Sequence, residues 1–462
     1  MRNKEIKQRK TKILATLGPS SNTIKKIIEL SKAGANAFRL NCSHLNEQGL
    51  KDYVKKIRRA EKILNKPIGI LVDLQGPKIR IGKVKDGENI LKKDSIFLLD
   101  LKKEIGNYKR VTLPHKKIFS SAKNGHLILL DDGKIHLKVT SVKANEIRTK
   151  VLQGGLLKSN KGVNLPQTNI RTSALSSIDK KFASIAVQEG VDWIALSFVQ
   201  KPNDIKELRK ICLNKVSIMA KIEKPTALDY INEIADLADG IMIARGDLGV
   251  ELPIESVPGW QKKIIRVARV KGRPVVVSTQ MLESMTSSLT PTRAEVSDVA
   301  NAVFEGADAI MLSAESASGD YPVETVKMMN KIAINIEKDS NYNDILSSQL
   351  EDTPDTTPDA IAIAAKTLAD ELSAPIIVCY TESGSTGIKV SRVRPSQTIL
   401  TITPVVQTAR KLSLAWGVLC FLQKDESDLE HMIKLTKKTV KKSGLALIGD
   451  KVVITAGLPL KV

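Results

Sequence analysis

Cysteine and aromatic residues are scarce in this sequence, and each shortage argues against a class of protein. The four cysteines are scattered with no C-x-x-C pair, which argues against a structural zinc site or a disulfide framework and fits a reducing compartment. No apolar run approaches the roughly 18 residues that a membrane-spanning helix needs. The N-terminus also lacks the apolar region of a secretion signal. We therefore expect a cytoplasmic protein with no membrane partner.

The net charge of +22 raises the question of a nucleic-acid partner. Lysine is spread along the whole chain rather than gathered into one arm, and aromatic residues, which stack on bases, make up only 3% of it. We therefore expect no nucleic acid, although the positive charge can attract phosphorylated substrates. A scaffold that binds RNA or protein stays open as an alternative.

Eight apolar segments organise most of the chain, which at 462 residues should form two to four domains. Each segment has the length of a buried strand and is followed by a helical pattern, except where one insertion intervenes. Eight such units predict a (β/α)8 TIM barrel with parallel strands. The predicted strands are KILATLG, ANAFRLN, IGILVDL, DWIALSF, SIMAKIE, GIMIARGD, PVVVSTQ and AIMLSAE.

Two breaks in this rhythm predict two further domains. Residues 75–162 contain short alternating segments separated by Gly and Asp turns, which predicts an inserted small β-barrel domain that acts as a lid. The DDG at residues 131–133 predicts a hairpin there. A Pro- and Thr-rich linker at residues 351–360 precedes a C-terminal α/β domain, expected to serve regulation or an interface. The predicted division is 1–74 with 163–350 for the catalytic barrel, 75–162 for the insert, and 351–462 for the C-terminal domain.

Polar side chains gather at the C-terminal ends of the predicted strands, the face where barrel active sites are built. Lys221 and Glu223 end one strand and point to one face of it, and Asp247 ends the next. A cation beside two carboxylates can hold a divalent metal and a phosphate, since Mg²⁺ takes oxygen ligands. A solvated ion pair at the sheet rim is the simpler alternative. The consistent placement favours a site built from Arg39, Asn41, Asp73, Ser197, Lys221, Glu223, Asp247, Thr279 and Glu315.

A turn in the C-terminal domain, TESGSTG, joins a predicted strand to a predicted helix. Backbone N–H groups at such a turn can hold a phosphate group of an effector, or the turn can simply cap the helix. The candidate effector residues are Thr381, Ser383, Gly384, Ser385 and Thr386.

The chain resembles pyruvate kinase along nearly its whole length, through long motifs in the family's order. Those motifs are ATLGPSS (15–21), FRLNCSH (38–44), DLQGPKIR (73–80), KGVNLP (161–166), KIEKP (221–225), ARGDLGVE (244–251), STQMLESM (278–285), PTRAEVSDVANAV (291–303) and MLSAE (311–315).

The resemblance implies roles for the residues at the strand ends. Lys221 corresponds to the family's catalytic lysine, Glu223 and Asp247 to its Mg²⁺ ligands, and Thr279 to the threonine near the carbon that accepts a proton. Arg39 corresponds to its substrate-binding arginine and is also expected to be catalytic. The implied phosphoenolpyruvate-binding set is Arg39, Lys221, Ala244, Arg245, Gly246, Asp247 and Thr279.

The resemblance also implies nucleotide and monovalent-cation regions. The nucleotide set is Asn41, His44, Arg80 and Lys161, and the cation set is Asn41, Ser43, Asp73, Leu74 and Lys78. Members that require K⁺ generally carry a glutamate where this chain has Lys78. We therefore expect the lysine ammonium to replace the ion, so that K⁺ is not required.

The implied function is transfer of a phosphoryl group from phosphoenolpyruvate to ADP, giving ATP and pyruvate, the final ATP-yielding step of glycolysis. Mg²⁺ is the expected metal, with Mn²⁺ as an alternative, and the expected assembly is a homotetramer. A sugar phosphate or a nucleotide is the expected kind of effector. A barrel lyase or aldolase that acts on a phosphoenolpyruvate-like enolate with the same metal is an alternative enzyme.

Overall fold

The structure is a computed structural model that describes residues 9–168, 173–348, 356–424 and 428–457. Three parts of the chain are seen within these ranges: a barrel, an insertion after the third barrel strand, and a C-terminal α/β part. Within the same ranges, no helix is long and apolar enough to cross a bilayer.

The barrel is closed and parallel, which confirms the predicted fold class. Its strands are almost wholly buried, as expected when helices cover the outer face of a parallel sheet. The register runs in step around the barrel, for example from Asn41 beside Asp73 to Lys221 beside Met242. The strands are Lys12–Thr16, Ala37–Asn41, Gly69–Asp73, Trp193–Leu196, Ser217–Ile222, Gly240–Ala244, Val275–Ser278 and Ala309–Leu312.

Amphipathic helices surround the strands and carry local start signals. Thr23 caps the first helix by accepting from the backbone of Lys26, and Thr292 with Glu295 forms a capping box at another. The helices of this part are Ile24–Ala33, Glu47–Leu64, Ser177–Gln188, Pro202–Cys212, Pro225–Asp229, Ile231–Leu237, Arg245–Glu251, Val257–Val270, Arg293–Phe304, Ala314–Ala317, Pro322–Glu337 and Tyr342–Ser348.

Two strand ends of the barrel differ from the sequence expectation, because Asp247 and Glu315, which were predicted to end strands, each lie in the first turn of a short helix, Arg245–Glu251 and Ala314–Ala317. The sixth strand ends at Ala244, and Asp247 lies in the first turn of the helix Arg245–Glu251, so the prediction that Asp247 ends a strand was wrong. The strand stops where its pairing with the neighbouring strand stops, at Ala244 beside Ser278. An acidic side chain in a first helical turn is also favoured by the helix dipole.

The insertion is a β domain, as predicted. Its hairpin turns at Asp131, Asp132 and Gly133, all with positive φ, as the DDG signal indicated. A six-stranded sheet runs, in spatial order, through Val163–Asn164, Leu127–Leu130, Ile135–Lys143, Glu146–Gln153, Ile96–Asp100 and Arg110–Thr112, and a two-stranded sheet pairs Gly155–Lys158 with Glu88–Leu91. The helix Lys116–Ser121 was not foreseen, because six residues are too few to establish a helical period.

The C-terminal part has a four-stranded parallel sheet in the spatial order Val418–Leu422, Thr398–Thr403, Ile376–Tyr380 and Val453–Thr455. Its helices are Thr357–Glu371, Ser385–Arg392, Val406–Lys411 and Leu429–Ser443. The predicted linker at 351–360 is too long, because a helix already begins at Thr357; residues 351–355 lie outside the described residues. The proposed domain boundary at 350/351 lies outside them as well.

The C-terminal part packs against the N-terminal end of the barrel. Leu414 belongs to the apolar cluster that fills the barrel interior, together with Leu14 and Trp193. A buried ion pair joins Arg394 to Asp308 at 2.9 Å. Because the opposite end of the barrel is left uncovered by these contacts, the strand ends that carry the candidate site stay accessible to the insert.

Candidate active site

Lys221 is the centre of a buried polar cluster at the C-terminal ends of the barrel strands. Its ammonium Nζ lies 2.8 Å from Glu223 Oε1 and 3.2 Å from Asp73 Oδ1. It also donates to the Ser197 hydroxyl at 2.7 Å. Glu223 is held in turn by the backbone N–H of Phe198, which donates to its Oε2 at 2.7 Å. The structure thus brings together four residues, Lys221, Glu223, Asp73 and Ser197, that the sequence placed at the ends of three strands.

The charges of this cluster stabilise one another against burial. Burial acts to lower the pKa of the Lys221 ammonium, but the carboxylates of Asp73 and Glu223 outweigh it, and the pKa is raised. Burial acts to raise the pKa of Asp73, but Lys221 and Arg39 outweigh it, and the pKa is lowered. Lys221 therefore stays a cation at neutral pH, with 9% of its surface exposed, which is the form that can neutralise a phosphoryl group.

Arg39 joins this cluster from the second strand. Its Nε donates to Asp73 Oδ2 at 2.7 Å, and its Nη1 donates to the Thr16 hydroxyl at 3.1 Å. Asp73 therefore orients Lys221 with one oxygen and Arg39 with the other. A carboxylate between two cations fixes their spacing, which is the geometry that recognition of an anionic substrate needs.

A second group of contacts shapes the start of the helix Arg245–Glu251. The Gly246 N–H donates to the Thr279 hydroxyl at 2.8 Å. The Arg245 guanidinium makes a bidentate pair with Asp298, at 2.6 and 2.7 Å, and also donates to the Thr279 carbonyl. Thr279 has φ of 72°, a strained value for a β-branched residue that the surrounding contacts must hold.

One residue of this region, Asp298, was missed by the sequence analysis, and another, Glu315, was foreseen but has a different kind of contact. Asp298 was not foreseen because it lies on a helix 53 residues after Arg245, with no local signal of that contact. Glu315, which was foreseen as a site residue, uses its oxygens to accept from the backbones of Ser313 and Leu282. Its contacts are therefore those of a residue that braces two loops.

Glu223 and Asp247 fit a divalent cation by the chemistry of their donor atoms. Burial raises the pKa of Glu223, and the neighbouring negative charge of Asp247 raises it further. Two carboxylates that repel each other in a buried place are stabilised by a cation between them. Within the described ranges, no group of three or more His, Cys, Asp or Glu could hold a metal. Mg²⁺ is usually bound by one or two protein carboxylates, and substrate phosphate and water complete its coordination shell.

A cleft of about 940 Å³ lies between the insert and the barrel and reaches Asp247. Its lining also includes Lys78, Asp132 and Lys224. Arg80 and Lys161 are not among its lining residues, and their side chains are engaged within the insert. The Arg80 guanidinium donates to the carbonyl of Asn160, and the Lys161 ammonium lies 2.7 Å from Asp131 Oδ1.

Four of the five predicted monovalent-cation residues, Asn41, Ser43, Asp73 and Leu74, lie at or just after the ends of two adjacent strands. Asn41 pairs in register with Asp73, and its side-chain oxygen accepts from the backbone of Ser43. The Leu74 carbonyl accepts from the Ser197 hydroxyl at 2.7 Å. His44 and Ser43 are exposed on the same loop, and Lys78 is exposed on the cleft wall.

The predicted effector turn is an ordered start of the helix Ser385–Arg392. The Thr381 hydroxyl accepts from the Gly384 N–H at 2.9 Å, and the hydroxyls of Ser383 and Ser385 lie 3.1 Å apart. Gly384 has φ of +91°, which a residue with a side chain rarely adopts. Thr386 lies in the first turn of the helix, so all five candidate residues are contiguous in space.

A closed barrel with a cationic cluster and paired carboxylates at its strand ends defines an enzyme that handles a charged, phosphorylated substrate. Comparison with known proteins names the particular family. Residues 8–326 match the description "Pyruvate kinase, barrel domain" and residues 359–462 match "Pyruvate kinase, alpha/beta domain". The chain belongs to the pyruvate kinase family and is a phosphotransferase.

Individual relatives agree with this assignment. A pyruvate kinase of Methylorubrum extorquens is 48% identical over 453 residues, which cover 98% of this chain and 95% of that one. One from Geobacillus stearothermophilus is 39% identical over 459 residues, covering 98% of this chain and 78% of the relative. The crystal structure of a Cryptosporidium parvum pyruvate kinase superposes with a TM-score of 0.94 at 32% identity, covering 98% of this chain and 95% of that one.

The family's reaction is phosphoryl transfer between phosphoenolpyruvate and ADP, which gives ATP and pyruvate in glycolysis, and the family uses Mg²⁺. The fold class, the enzyme class and the family predicted from sequence are therefore confirmed. The lyase, aldolase and scaffold alternatives find no support in the comparisons.

Proposed function

We propose that this chain transfers the phosphoryl group of phosphoenolpyruvate to ADP through the cluster centred on Lys221. The observation that carries the proposal is the Lys221 ammonium held between Asp73 and Glu223, with Arg39 on the other oxygen of Asp73. Phosphoryl transfer passes through a loose transition state that is catalysed mainly by positioning and charge neutralisation. Fixed cations beside a metal site supply both.

Each residue of the cluster then has a role. Lys221 balances the charge of the phosphoryl group in transfer, and Arg39 holds the same group from the neighbouring strand. Ala244, Arg245 and Gly246 bind the substrate carboxylate at the start of their helix, where backbone N–H groups favour anions. Glu223 and Asp247 hold Mg²⁺, which when bound supplies further positive charge to the phosphoryl oxygens.

Thr279 is proposed to lie on the path of the proton that completes the reaction. The enolate of pyruvate that leaves must be protonated at carbon, which needs a polar route rather than a strong acid. The Thr279 hydroxyl contacts the Gly246 N–H and the Ser278 carbonyl, so it connects the substrate pocket with a polar backbone chain.

The insert is proposed to act as a lid over the nucleotide. Asn41, His44, Arg80 and Lys161 are the proposed nucleotide contacts. In the described arrangement Lys161 is paired with Asp131, so we infer that it exchanges this partner for a phosphate when the lid closes. The division into 1–74 with 163–350, 75–162 and 351–462 is the division that we propose for the catalytic barrel, the lid and the C-terminal domain.

The remaining proposals concern the cellular location, the oligomeric state, the metal ions and the effector of the enzyme. We infer a cytoplasmic homotetramer that needs no K⁺ because Lys78 replaces the ion, beside Asn41, Ser43, Asp73 and Leu74. We also infer that Thr381, Ser383, Gly384, Ser385 and Thr386 hold the phosphate of a sugar-phosphate or nucleotide effector. Mn²⁺ is proposed as an alternative to Mg²⁺, since it accepts the same oxygen ligands.

The test is formation of pyruvate from phosphoenolpyruvate and MgADP, followed through a coupled dehydrogenase, for the wild type and Lys221→Met. Loss of one preorganised charge should lower kcat by roughly 10²–10³-fold, about 3–4 kcal/mol in the transition state, while the circular dichroism spectrum is unchanged. Lys262→Met, which removes an exposed lysine from an outer helix, is the matched control and should keep full activity. A folded wild type without pyruvate formation, or a Lys221→Met variant with normal kcat, would contradict the proposal.

A further inference from the structure

Glu251 is a buried carboxylate that joins three separate segments of the chain. It is the last residue of the helix Arg245–Glu251, and only 4% of it is exposed. Its Oε1 accepts from Lys224 Nζ at 2.5 Å and from Asn164 Nδ2 at 2.8 Å. Nothing in the reaction as described above uses this residue.

The three segments are those that must be placed correctly for the reaction. Asn164 ends the strand Val163–Asn164, which lies just past the proposed boundary at 162/163 but pairs with the insert's strand Leu127–Leu130, where the chain returns to the barrel. Lys224 directly follows Glu223, and Glu251 ends the helix whose first turn carries Asp247. One oxygen atom therefore links the root of the insert to the segments of both carboxylates proposed to hold the metal.

The same residues border the cleft between insert and barrel. Asn164, Lys224, Asp247 and Glu251 all line the cleft of about 940 Å³. The Lys224 ammonium also lies 5.9 Å from the ring centre of Phe198, whose backbone N–H holds Glu223. A shift of Lys224 would therefore move Glu223 by two routes, through the peptide bond that joins the two residues and through Phe198.

The energetics argue that Glu251 does more than fill space. A buried carboxylate loses several kcal/mol of hydration, and a well-packed apolar residue at such a place is often as stable or more so. Its Oε2 is buried with no hydrogen-bond partner among the described residues, which costs about 1–3 kcal/mol for such a group. Because these terms are unfavourable, we infer that the negative charge of Glu251 serves to hold the Lys224 ammonium and the Asn164 amide at a fixed separation.

We propose that Glu251 is a positioning residue that couples the seating of the insert on the barrel to the placement of Glu223 and Asp247. The inference rests on the proposed function, since it concerns the metal and nucleotide of that reaction. Outer groups that orient metal ligands typically change metal affinity or activity by 10–100-fold when they are removed.

The test compares Glu251→Gln with the wild type in titrations of Mg²⁺ and of MgADP, followed by reaction rate and, without turnover, by calorimetry. Glutamine keeps the size of the side chain and an acceptor for Asn164 but loses the charge that holds Lys224. The expected result is a rise of about tenfold or more in the Mg²⁺ concentration for half-maximal rate, and a rise in the KM for MgADP. The dissociation constant of Mg²⁺ measured by calorimetry should rise together with the kinetic value. Asp236→Asn, which removes the charge of the more exposed pair between Asp236 and Lys271, is the matched control and should change neither value.

Variants that remove only one of the two contacts of Glu251 test the effects on Mg²⁺ and on MgADP separately. They also keep the proposal testable if Glu251→Gln folds poorly. Asn164→Ala should raise mainly the KM for MgADP, and Lys224→Met should raise mainly the Mg²⁺ requirement. Lys224→Arg should keep the Mg²⁺ requirement near the wild-type value, because arginine keeps the positive charge. In the Glu251→Gln background, Lys224→Met should add less than twofold, since the partner is already lost.

Two results would overturn the inference. One is that Glu251→Gln lowers the unfolding midpoint but leaves the Mg²⁺ requirement and the KM for MgADP within twofold of the wild type. The other is that the effects of Lys224→Met and Glu251→Gln multiply as independent changes. Both require an active wild type, so failure of the proposed function, seen as no pyruvate formation by the wild type, is a separate outcome that removes the basis of the inference.

Discussion

At the scale of single residues, the site depends on carboxylates that each serve two partners. Asp73 holds Lys221 with one oxygen and Arg39 with the other, and Glu223 holds Lys221 and the Phe198 backbone. Removing either carboxylate would leave the buried Lys221 ammonium with one carboxylate partner in place of two, which is more costly than losing a surface ion pair. The cluster should therefore respond to mutation as a unit rather than residue by residue.

The metal requirement tests the roles of Glu223 and Asp247. Glu223→Gln and Asp247→Asn should each raise the Mg²⁺ concentration for half-maximal rate by about tenfold or more, because each removes one of only two proposed protein carboxylates on the ion. A titration of activity against free Mg²⁺ at saturating phosphoenolpyruvate measures this. Glu305→Gln is the control, because Glu305 lines a neighbouring pocket together with Asp247 and accepts a hydrogen bond from Gln261. Unchanged titration curves for both site variants would exclude metal ligation by this pair.

At the scale of elements, the segment after the third barrel strand carries a charge whose role is still a prediction. Lys78 is exposed on the wall of the cleft, five residues after Asp73. A tethered ammonium provides the positive charge of a K⁺ ion without an ion-binding equilibrium. The chain should therefore reach nearly the same kcat with or without K⁺.

The measurement compares kcat in K⁺ buffer with kcat in a buffer whose ionic strength is held by a bulky organic cation. The double variant Lys78→Glu with Leu74→Thr should move the enzyme toward dependence on K⁺. Lys83→Glu makes the same charge change at another exposed lysine of the insert and should not. Strong stimulation of the wild type by K⁺ would refute the role of Lys78.

At the scale of the whole molecule, a buried lysine lies where the barrel meets the C-terminal part. Lys12 donates to the Val418 carbonyl at 2.7 Å. Its pKa is lowered from 10.5 to about 7, mainly by burial and also by the charges of Arg9 and Lys66, against the opposing effects of Glu337 and Asp308. The contact between the two parts of the chain is therefore sensitive to pH.

Lys12 should make the protein more stable as the pH rises from 7 to 10. In this window the unfolded chain binds a proton at Lys12 and the folded chain does not, so the free energy of unfolding gains up to about 1.4 kcal/mol per pH unit from this group. Below pH 7 both states are protonated, and this dependence vanishes. Lys12→Met should flatten the profile of urea midpoints between pH 7.5 and 9.5, whereas Lys25→Met, at an exposed position, should not. Parallel profiles for wild type and Lys12→Met would show that Lys12 keeps its usual pKa.

The proposed homotetramer has a candidate contact on the helix Thr357–Glu371. Ile361, Leu368 and the following Leu372 lie on one side of it, at 48%, 52% and 41% exposure. We expect light scattering to give a mass of four chains, and Leu368→Lys to give smaller assemblies, since a charge on an apolar contact must be desolvated. Lys366→Glu, off this stripe on the same helix, is the control. A stable, active monomer in the wild type would contradict the prediction.

The sequence alone determined the barrel and the chemical type of its site. Apolar strands and polar strand ends are local patterns, and parallel strands around a barrel must bring their ends to one face, so Lys221, Glu223 and Asp73 could be placed together from spacing. The end of the sixth strand at Ala244 could not be predicted from the sequence. A strand ends where its pairing ends, and that pairing depends on a neighbouring strand that lies elsewhere in the chain.

Only the tertiary structure decided which distant groups hold the site in place. Asp298 meets Arg245 across 53 residues, and Glu251 meets Asn164 across 87. Lys12 becomes buried because a segment some four hundred residues later covers it. Hydrogen bonds and desolvation of this kind depend on how separate segments pack, and a residue's own neighbours in sequence carry no record of that packing.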